Sequence, residues 1–279
     1  MAQESSYVDD IERWHQQRID NLTREDSWLS LAGLFWLEVG QTTFGSDASN
    51  DIRFPKTADA FLGTFFYDGS SVIVDINESA KVTSDNSLVN TLELRPDTSG
   101  SPTILRHKSL LWYVIIRGDR VGIRLKDTEH ENLQQFQGID RFPVEERWNI
   151  KARLLRSDSL KYIKVPDVLG NTNTEPSPGT LIFEHQGREY QVHPLGSPEA
   201  SSYFLIFSDA TSGDATYGGG RYVSVPKENE QGYTTIDFNK AYNPPCAFTP
   251  YATCPLPPPQ NQLPFAVRAG EKRYAAGHH

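Results

Sequence analysis

Apolar side chains recur every three or four residues near the start of the chain, which is the pattern of an amphipathic helix. The stripe consists of Val8, Ile11, His15, Ile19 and Leu22, with Trp14 beside it. Charged and amide side chains fill most of the other positions, so one face of the helix is expected to be buried. We predict a helical segment within residues 1–30 that docks on the β-structure after it.

Short runs rich in β-branched and aromatic residues, separated by turn residues, follow across residues 34–127. Runs of this kind predict β-strands. Asp68-Gly69 and Gly118-Asp119 each lie between two such runs, and Asp and Gly favour tight turns between antiparallel strands. Many short strands at this spacing predict a sandwich or a barrel, and we expect a β-sandwich over residues 31–140.

A second β-rich region follows a polar stretch at residues 128–147, which is expected to hold a short helix or a connector. We place the boundary near Phe142-Pro143, so that residues 141–274 form a second β-rich lobe. The turn residues of His185-Gln186-Gly187-Arg188 predict a hairpin. The polar, Pro- and Gly-rich stretch at residues 170–179 predicts an exposed loop.

Eight of the 18 prolines lie between Pro244 and Pro264, so this stretch cannot form a helix or an interior strand. Its aromatic residues favour an extended strap packed on the protein, with disorder as the alternative. The predicted fold class is therefore all-β and mainly antiparallel, with an N-terminal helix, a sandwich and a second lobe that the strap closes. Residues 275–279 are interpreted as a tail or a tag remnant.

Charge and cysteine content narrow the classes of partner. The formal net charge is −9, which opposes binding to nucleic acid, because nonspecific affinity there comes from Lys and Arg. The longest apolar run, residues 29–37, is too short to span a membrane, so no membrane partner is expected. Polar, acidic residues at the start and two cysteines in a large chain predict a cytoplasmic protein.

Several strings in the sequence resemble one prokaryotic family, found in bacteria and archaea, that is known only as a domain of unknown function. The strings are TYGGGRY (216–222), IDFNKAYNPPCAF (236–248), ATCPLPP (252–258), Asn261 and AGE (269–271), together with SWL (27–29), GLFWL (33–37), RGDR (117–120) and GIRLKD (122–127). The resemblance spans most of the chain. It implies no established reaction.

A second resemblance concerns residues 37–55 (LEVGQTTFGSDASNDIRFP), which are similar to the opening of forkhead-associated (FHA) domains. These domains are β-sandwiches that bind phosphothreonine peptides. They follow a strand glycine with Arg and later use a Ser-x-x-His motif, whereas Gly45 is followed here by Ser46, and the motif is missing from residues 55–69. The resemblance implies an FHA-like sandwich without phosphothreonine recognition.

A polar run that leaves a strand and enters the strap is the first candidate site. Asp237 is a candidate general base, and Asn239 and Asn243 are candidates to orient a substrate carbonyl or hydroxyl beside Tyr242. The alternative is structural, because Asn and Asp side chains also cap turns by binding backbone groups. The structural alternative is favoured.

The two cysteines, Cys246 and Cys254, do not have CxxC or zinc-knuckle spacing. Two buried thiols are the favoured interpretation, with metal binding, nucleophilic catalysis and a disulfide as alternatives. Catalysis by Cys246 would need a nearby imidazole, for which His185 and His193 are candidates.

Glycine-flanked and clustered arginines are the remaining candidates. Gly218-Gly219-Gly220 before Arg221 suits an anion, with Tyr217 beside it, although an internal ion pair of Arg221 is equally expected. Arg117 and Arg124, with Arg120, form a second basic cluster around a hairpin. Oxygen ligands at Asp209, Thr211 and Asp214 match no EF-hand spacing, so a solvated hairpin is favoured over a cation site there.

These observations lead to two functional hypotheses from different classes. The first is that the C-terminal lobe binds, and in an extended form hydrolyses, a small anionic ligand, with Asp237 and Cys246 as catalytic candidates and the others above as ligand contacts. The second is a non-enzymatic module that binds a protein partner through the sandwich. No cofactor or metal is expected, and whether the protein is an enzyme is left open.

Overall fold

The computed structural model describes residues 6–274, and these form two compact units. We call Leu22–Phe136 the sandwich. We call the described residues up to Asn21, together with those from Gln137 on, the C-terminal lobe. The predicted tail at residues 275–279 lies outside the described residues.

The sandwich consists of two β-sheets, one six-stranded and one five-stranded. Its strands are β1 (Leu31–Trp36), β2 (Gly40–Gly45), β3 (Ile52–Arg53), β4 (Gly63–Tyr67), β5 (Val72–Ile76), β6 (Thr83–Ser84), β7 (Ser87–Leu88), β8 (Thr91–Glu93), β9 (Leu105–His107), β10 (Leu110–Arg117) and β11 (Arg120–Asp127), and a short helix, α2 (Glu131–Gln135), follows them. The sheet orders are β1-β11-β10-β9-β6-β7 and β3-β2-β4-β5-β8. All neighbours are antiparallel except the parallel pair β2 and β3.

Stacked aromatic rings fill the space between the two sheets of the sandwich. Phe44 of β2 stacks on Phe65 of β4 with ring centroids 4.2 Å apart. Trp112 of β10, in the other sheet, meets Phe44 edge-on at 5.8 Å. Alternate residues of β5 are buried, as the period of a strand with one inward face requires. The sandwich expected from the alternating pattern is therefore two sheets over one aromatic core.

The C-terminal lobe contains helix α1 (Tyr7–Leu22) and six further strands. They are β12 (Asn149–Pro166), β13 (Thr172–His185), β14 (Arg188–Val192), β15 (Ser202–Phe207), β16 (Arg221–Pro226) and β17 (Tyr233–Asp237). The first three and β17 form a four-stranded antiparallel sheet in the order β14-β13-β12-β17, and β15 pairs with β16. The all-β, mainly antiparallel class with one N-terminal helix is confirmed.

The stretch at residues 170–179 was expected to be a loop, and this expectation is wrong. Most of it belongs to β13, whose residues Thr172 to Ser177 pair with Pro166 to Lys161 of β12. The prolines of this stretch are tolerated because β14 pairs only with the later half of β13, so the earlier half is a sheet edge. The register of β12 against β13 shifts between Arg156 and Lys161, where β12 has a bulge.

Helix α1 packs on the C-terminal lobe, and its residues up to Asn21 form one compact unit with that lobe. The apolar stripe was correct for Ile11 and Leu22, which are buried, but Val8 is exposed. Polar side chains determine the docking, since Tyr7 and Arg18 both bond to the C-terminal lobe. None of the helices within residues 6–274 is both long and apolar enough to cross a membrane.

The Pro-rich strap, residues 244–264, packs on the lobe as expected. Two short 3-10 turns, Pro245–Ala247 and Pro259–Asn261, and extended pieces replace regular strands there, and Phe248 and Leu263 are buried. Leu263 joins Val267 and Ala269 in the hydrophobic core between the four-stranded sheet and the β15–β16 pair. The strap is therefore part of the folded core of the lobe.

Truncation of the central aromatic side chain should destabilise the sandwich. Trp112 is fully buried, so Trp112→Ala should lower the free energy of unfolding by about 3–5 kcal/mol through lost burial and a cavity. Urea denaturation measures this loss. The control Phe66→Ala removes a partly exposed ring from the outer side of the same unit and should cost far less; equal losses would contradict the core assignment.

Candidate functional site

The side chains of Asp237 and Asn239 lie under the start of helix α1. The Tyr7 hydroxyl donates to Oδ1 of Asp237 at 2.7 Å, and Nδ2 of Asn239 donates to the Tyr7 oxygen at 2.9 Å and to the Glu145 carbonyl at 2.9 Å. Asp237 also caps the 3-10 turn Phe238–Lys240 by accepting from the Asn239 amide. Burial and the Asp237 carboxylate raise the pKa of Tyr7. Both candidates therefore perform the structural role that was the alternative prediction.

Tyr242 and Asn243 take part in a buried ionic cluster with the other end of α1. The Asn243 amide donates to Oε2 of Glu271 at 2.7 Å, and Arg18 donates to Oε1 of Glu271 at 3.1 Å and to the Asn243 carbonyl at 3.0 Å. The Arg18 guanidinium also lies 4.8 Å above the Tyr242 ring. Burial raises the pKa of Glu271, and Arg18 opposes this shift. Sequence analysis missed both Arg18 and Glu271 as members of the cluster.

Arg221 is fully buried, and its guanidinium bonds to protein groups. Nη2 donates to Oδ2 of Asp209 at 2.8 Å and to the Val267 carbonyl at 2.8 Å. Nη1 donates to the carbonyls of Ala269 and Glu271. Burial lowers the pKa of Arg221, while Asp209 opposes this shift. The structure thus forms the internal ion pair that was one of the two predictions. It also gives the Asp209 carboxylate the Arg221 guanidinium as a partner instead of a metal ion.

The glycine run before Arg221 lets the strap approach closely. Gly220 has a φ of 81°, and a side chain there would place Cβ only 2.4 Å from Cγ of Pro257 and 2.5 Å from the Phe207 carbonyl oxygen. A residue with a side chain would therefore clash. Tyr217, three residues earlier, is half-buried, and burial raises the pKa of its phenol. The space beside Gly220, in a run expected to suit an anion, is thus taken by Pro257 of the strap.

The expectation of two buried thiols is corrected, because Cys246 and Cys254 form a disulfide. Their Cα atoms lie 6.1 Å apart, within the range that a disulfide spans. The 3-10 turn Pro245–Ala247 brings the two residues together. In this state Cys246 has no thiol to act as a nucleophile. Disulfides persist in oxidising compartments, so the pairing does not support the cytoplasmic location, which stays a prediction.

The two histidines considered as partners of Cys246 have other neighbours. His185 stacks on Phe265 at 4.3 Å and on Trp148 at 5.2 Å between ring centroids. His193 lies beside the Thr180 hydroxyl, 3.5 Å away. Burial lowers the pKa of both imidazoles. Their surroundings are those of packed side chains in the lobe.

Arg117 and Arg124 belong to the sandwich, where they lie on the adjacent strands β10 and β11. Arg117 forms an ion pair with Asp97, with 2.7 Å between Nη1 and Oδ2. Arg124 is buried, its guanidinium lies 5.9 Å from the Trp28 ring, and burial lowers its pKa. These two candidates therefore lie in a different unit from Arg221 and Asp237.

A cavity of about 320 Å³ opens in the C-terminal lobe, and none of the site residues predicted from the sequence lines it. Its lining is mainly apolar, with one carboxylate and one carboxamide. The lining residues are Val165, Asn173, Glu175, Leu195, Gly196, Phe204, Ile206 and Pro255. We call this the apolar cavity. Its chemistry suits a ligand with a hydrophobic body and one polar group.

The registers of the strands explain how the apolar cavity forms. Val165 of β12 pairs with Asn173 of β13, and two residues away Ile163 pairs with Glu175. Residues two apart in a strand share a face, so the apolar Val165 and Ile163 of β12 lie beside the polar Asn173 and Glu175 of β13. The bridge between Leu195 and Phe204 adds the opposite wall.

The strap supplies the remaining wall of the apolar cavity through Pro255, and hydrogen bonds hold it there. The Leu256 amide donates to the Pro166 carbonyl at 2.7 Å, and the Val168 amide donates to the Cys254 carbonyl at 3.1 Å. The Tyr222 hydroxyl donates to the Pro255 carbonyl at 2.7 Å. The disulfide at Cys254 therefore adjoins a wall residue of the cavity.

Sequence analysis missed the apolar cavity because it interpreted residues 170–179 as a loop. Asn173 and Glu175 lie within that stretch, so neither was assigned a face. Finding the polar side chains opposite Val165 requires the register of β12 against β13.

Metal ligands do not cluster in the part of the chain that the structure describes: residues 6–274 contain no group of three or more His, Cys, Asp or Glu side chains that could hold an ion. Asp209 and Thr211, which were weighed as cation ligands, bond to each other at 2.6 Å. Asp209 also accepts from Arg221. Their oxygens thus serve the ionic core of the lobe.

Loss of the buried guanidinium should destabilise the protein strongly. Arg221→Met leaves the Asp209 carboxylate and three carbonyls without this donor, so the free energy of unfolding should fall by about 3–5 kcal/mol. Urea denaturation measures the change. Arg268→Met, at an exposed arginine, should change it by less than about 0.5 kcal/mol. If the two variants are equally stable, Arg221 does not hold the C-terminal segment.

Removal of one hydroxyl should loosen helix α1. Tyr7→Phe removes the hydrogen bonds of the hydroxyl to Asp237 and Asn239, so the free energy of unfolding should fall by about 1–3 kcal/mol. Hydrogen exchange of the α1 amides should accelerate at the same time. Val8→Ala, at a side chain 43% exposed, is the matched control; unchanged exchange in Tyr7→Phe would show that the hydroxyl is not an anchor.

Comparisons with solved structures return an uncharacterised protein and several FHA domains. The solution NMR structure of an uncharacterized protein from Haloarcula marismortui is 29% identical, with a TM-score of 0.44 over 53% of this chain and 82% of that chain. The FHA domain of FhaA, complexed with the intracellular domain of Rv3910, is 16% identical with a TM-score of 0.24 over 33% of this chain and 97% of that chain. A structure from a study of phosphothreonine-dependent FHA domain interactions gives the same identity and TM-score over 33% and 92%.

No curated protein matches the chain. A family match covers residues 134–272, which include the strap, Arg221 and Glu271. These are also the residues that carry most of the signature strings. The resemblance to an uncharacterised family is therefore confirmed for residues 134–272, which match the family described as a protein of unknown function (DUF1684).

Proposed function

We propose that the C-terminal lobe binds a small, largely apolar molecule in the apolar cavity. The observation that supports this most directly is the composition of the lining, which combines five apolar side chains with Asn173 and Glu175. The proposed site is in the C-terminal lobe, as the sequence analysis expected, but the proposed ligand is largely apolar instead of anionic.

The size of the apolar cavity supports a ligand of about ten to fifteen heavy atoms. Its volume of about 320 Å³ lies at the lower end of the roughly 300–1,000 Å³ that is typical of small-molecule sites. Phe204 is half-buried and lines the opening, so an aromatic wall is accessible to a ligand. A single flat ring system with a short substituent matches these dimensions.

The charge of the lining favours a cation over an anion. Glu175 is the ionisable residue among the lining side chains, and its carboxylate attracts an ammonium group and repels another carboxylate. The Asn173 carboxamide can both donate and accept a hydrogen bond. The ligand is therefore expected to carry an amine or another hydrogen-bond donor at the polar edge of the cavity.

An anionic ligand at Arg221, the original hypothesis, would have to compete with existing partners. The guanidinium is 0% exposed and already donates to Asp209 and to three carbonyls. Displacing a buried carboxylate leaves that charge unpaired, which costs several kcal/mol, on the order of 3–5. A site at Arg221 is therefore energetically less favourable than the apolar cavity.

Binding without chemical conversion fits the lining best. Hydrolysis needs an activated nucleophile, and the lining contains no Ser, Thr, Cys, Lys or His, so the Glu175 carboxylate is its one group of this kind. Catalysis by Asp237 and Cys246 would have to begin with release of Tyr7 and reduction of the disulfide. The alternative function, a protein-interaction module built on the sandwich, stays a prediction.

A matched ligand series tests the proposal. Tryptamine, 3-methylindole and indole-3-acetate share one ring and differ in charge, so ligand-observed NMR on the full chain separates apolar from ionic contributions. We expect dissociation constants near 1 mM for the best of them, since ligands of this size gain about 0.3 kcal/mol per heavy atom. Tryptamine should bind at least about threefold more tightly than indole-3-acetate, because of Glu175.

Two variants connect the binding to the apolar cavity. Glu175→Gln should abolish the preference for tryptamine, whereas Glu230→Gln, at an exposed carboxylate outside the cavity, should preserve it. Binding of none of the three ligands would contradict the proposal. Preferred binding of indole-3-acetate that is unchanged in Glu175→Gln would locate the site elsewhere in the protein.

A further inference from the structure

The outer face of the four-stranded sheet carries an open cleft of about 640 Å³, separate from the apolar cavity. Residues of all four strands of this sheet, β14, β13, β12 and β17, line the cleft. The lining is Lys151, Ala152, Arg153, Ile182, Phe183, Glu184, Gly187, Glu189 and Tyr233. We call this surface the charged face.

Two pairs of like charges lie side by side on the charged face. Glu184 of β13 is directly opposite Glu189 of β14 in the register of the sheet. Lys151 and Arg153 are two residues apart on β12, so they point to the same side. Like charges directly opposite each other across two strands repel, so the Glu184–Glu189 pair destabilises the isolated sheet. The charges of Lys151 and Arg153, on one face of β12, also repel each other.

None of these four side chains forms a salt bridge within residues 6–274. Although Lys151 and Glu184 line the same cleft, the Lys151 ammonium lies 4.1 Å from the centroid of the Tyr233 ring on β17. In the sheet order β14-β13-β12-β17, the two carboxylates lie on β14 and β13 and the two cations lie on β12, with the Lys151 ammonium toward Tyr233 of β17. This separation leaves an acidic strip beside a basic strip.

Apolar side chains lie among the charges. Tyr233 is 37% exposed and Leu155, two residues from Arg153 on β12, is 44% exposed. Ile182 pairs with Arg153 across β12 and β13 and is half-buried. Aromatic and Arg side chains are enriched in protein contacts, and the charged face exposes Tyr233 and Arg153.

We propose that the charged face binds a second copy of this chain across a two-fold axis. A two-fold axis places the same patch of both copies against itself. With an acidic strip beside a basic strip, this operation sets Lys151 and Arg153 of one copy against Glu184 and Glu189 of the other. Each repulsive pair of the single chain then gains an attractive partner.

The chemistry favours a second copy over other occupants. A partner must present two cations next to two carboxylates at the spacing of neighbouring strands, and the charged face itself has this arrangement. A small zwitterion would neutralise one charge of each sign and leave the other two unpaired. Because the contacts are solvent-exposed ion pairs, the dimer should weaken as salt rises.

Analytical ultracentrifugation of the full chain tests the dimer. At about 100 µM protein and low salt, the wild type should sediment as a dimer, and the monomer fraction should rise severalfold in 0.5 M salt because of screening. Lys151→Glu/Arg153→Glu and Glu184→Lys/Glu189→Lys should each sediment as monomers. Their equimolar mixture should restore the dimer, since an acidic face then meets a basic face.

Controls separate loss of contact from loss of fold. Circular dichroism should give both double variants the spectrum of the wild type, and Lys227→Glu/Arg268→Glu, which reverses exposed charges elsewhere, should remain dimeric. A monomeric wild type under all these conditions overturns the proposal. Dimers in both double variants, or a mixture that stays monomeric, overturn it equally. Ligand binding in the apolar cavity does not enter these outcomes.

Discussion

The ion pair between Arg221 and Asp209 is the constraint on which the C-terminal lobe depends. A guanidinium without water must have acceptors for its protons, and three of them are carbonyls of the segment that ends the described chain. That segment then brings the Glu271 carboxylate to Arg18 of helix α1. The buried charge of Arg221 thus determines the path of residues 267–271, which belong to no strand. Glu271 of this segment in turn determines where helix α1 docks.

The same need for hydrogen-bond partners explains why the polar residues of the signature strings do not line an open site. Buried Asp, Asn and Glu side chains must be hydrogen-bonded, and the strap, which has few backbone donors because of its prolines, relies on side chains to fasten it. Asn261, for example, binds the backbone of His193 and Ile206. Residue types suited to catalysis serve here as structural connections. The two surfaces that we propose for recognition, the apolar cavity and the charged face, consist of less distinctive residues.

Local pattern predicted much of the fold, and long-range pairing explains the rest. The hairpin at His185 to Arg188 was correct because Gln186 and Gly187 adopt the left-handed conformation that its turn needs. Helix α1 was correct in extent, but its docking could not be predicted, since it depends on Tyr7 and Arg18 meeting residues more than 200 positions away. The disulfide and the strand pairing of residues 172–177 likewise depend on distant segments, which composition does not reveal.

The bulge in β12 has a consequence for how the lobe can change. Before it, the even-numbered Ala152 and Leu154 are buried in the main core, and after it the odd-numbered Ile163 and Val165 are buried instead. The bulge inserts an odd number of extra residues and so reverses which side chains face inward. Deletion or insertion of one residue there would turn Lys164 instead of Val165 toward the apolar cavity and leave the main core intact. The bulge therefore makes the half of this hairpin that lines the cavity a separately variable module.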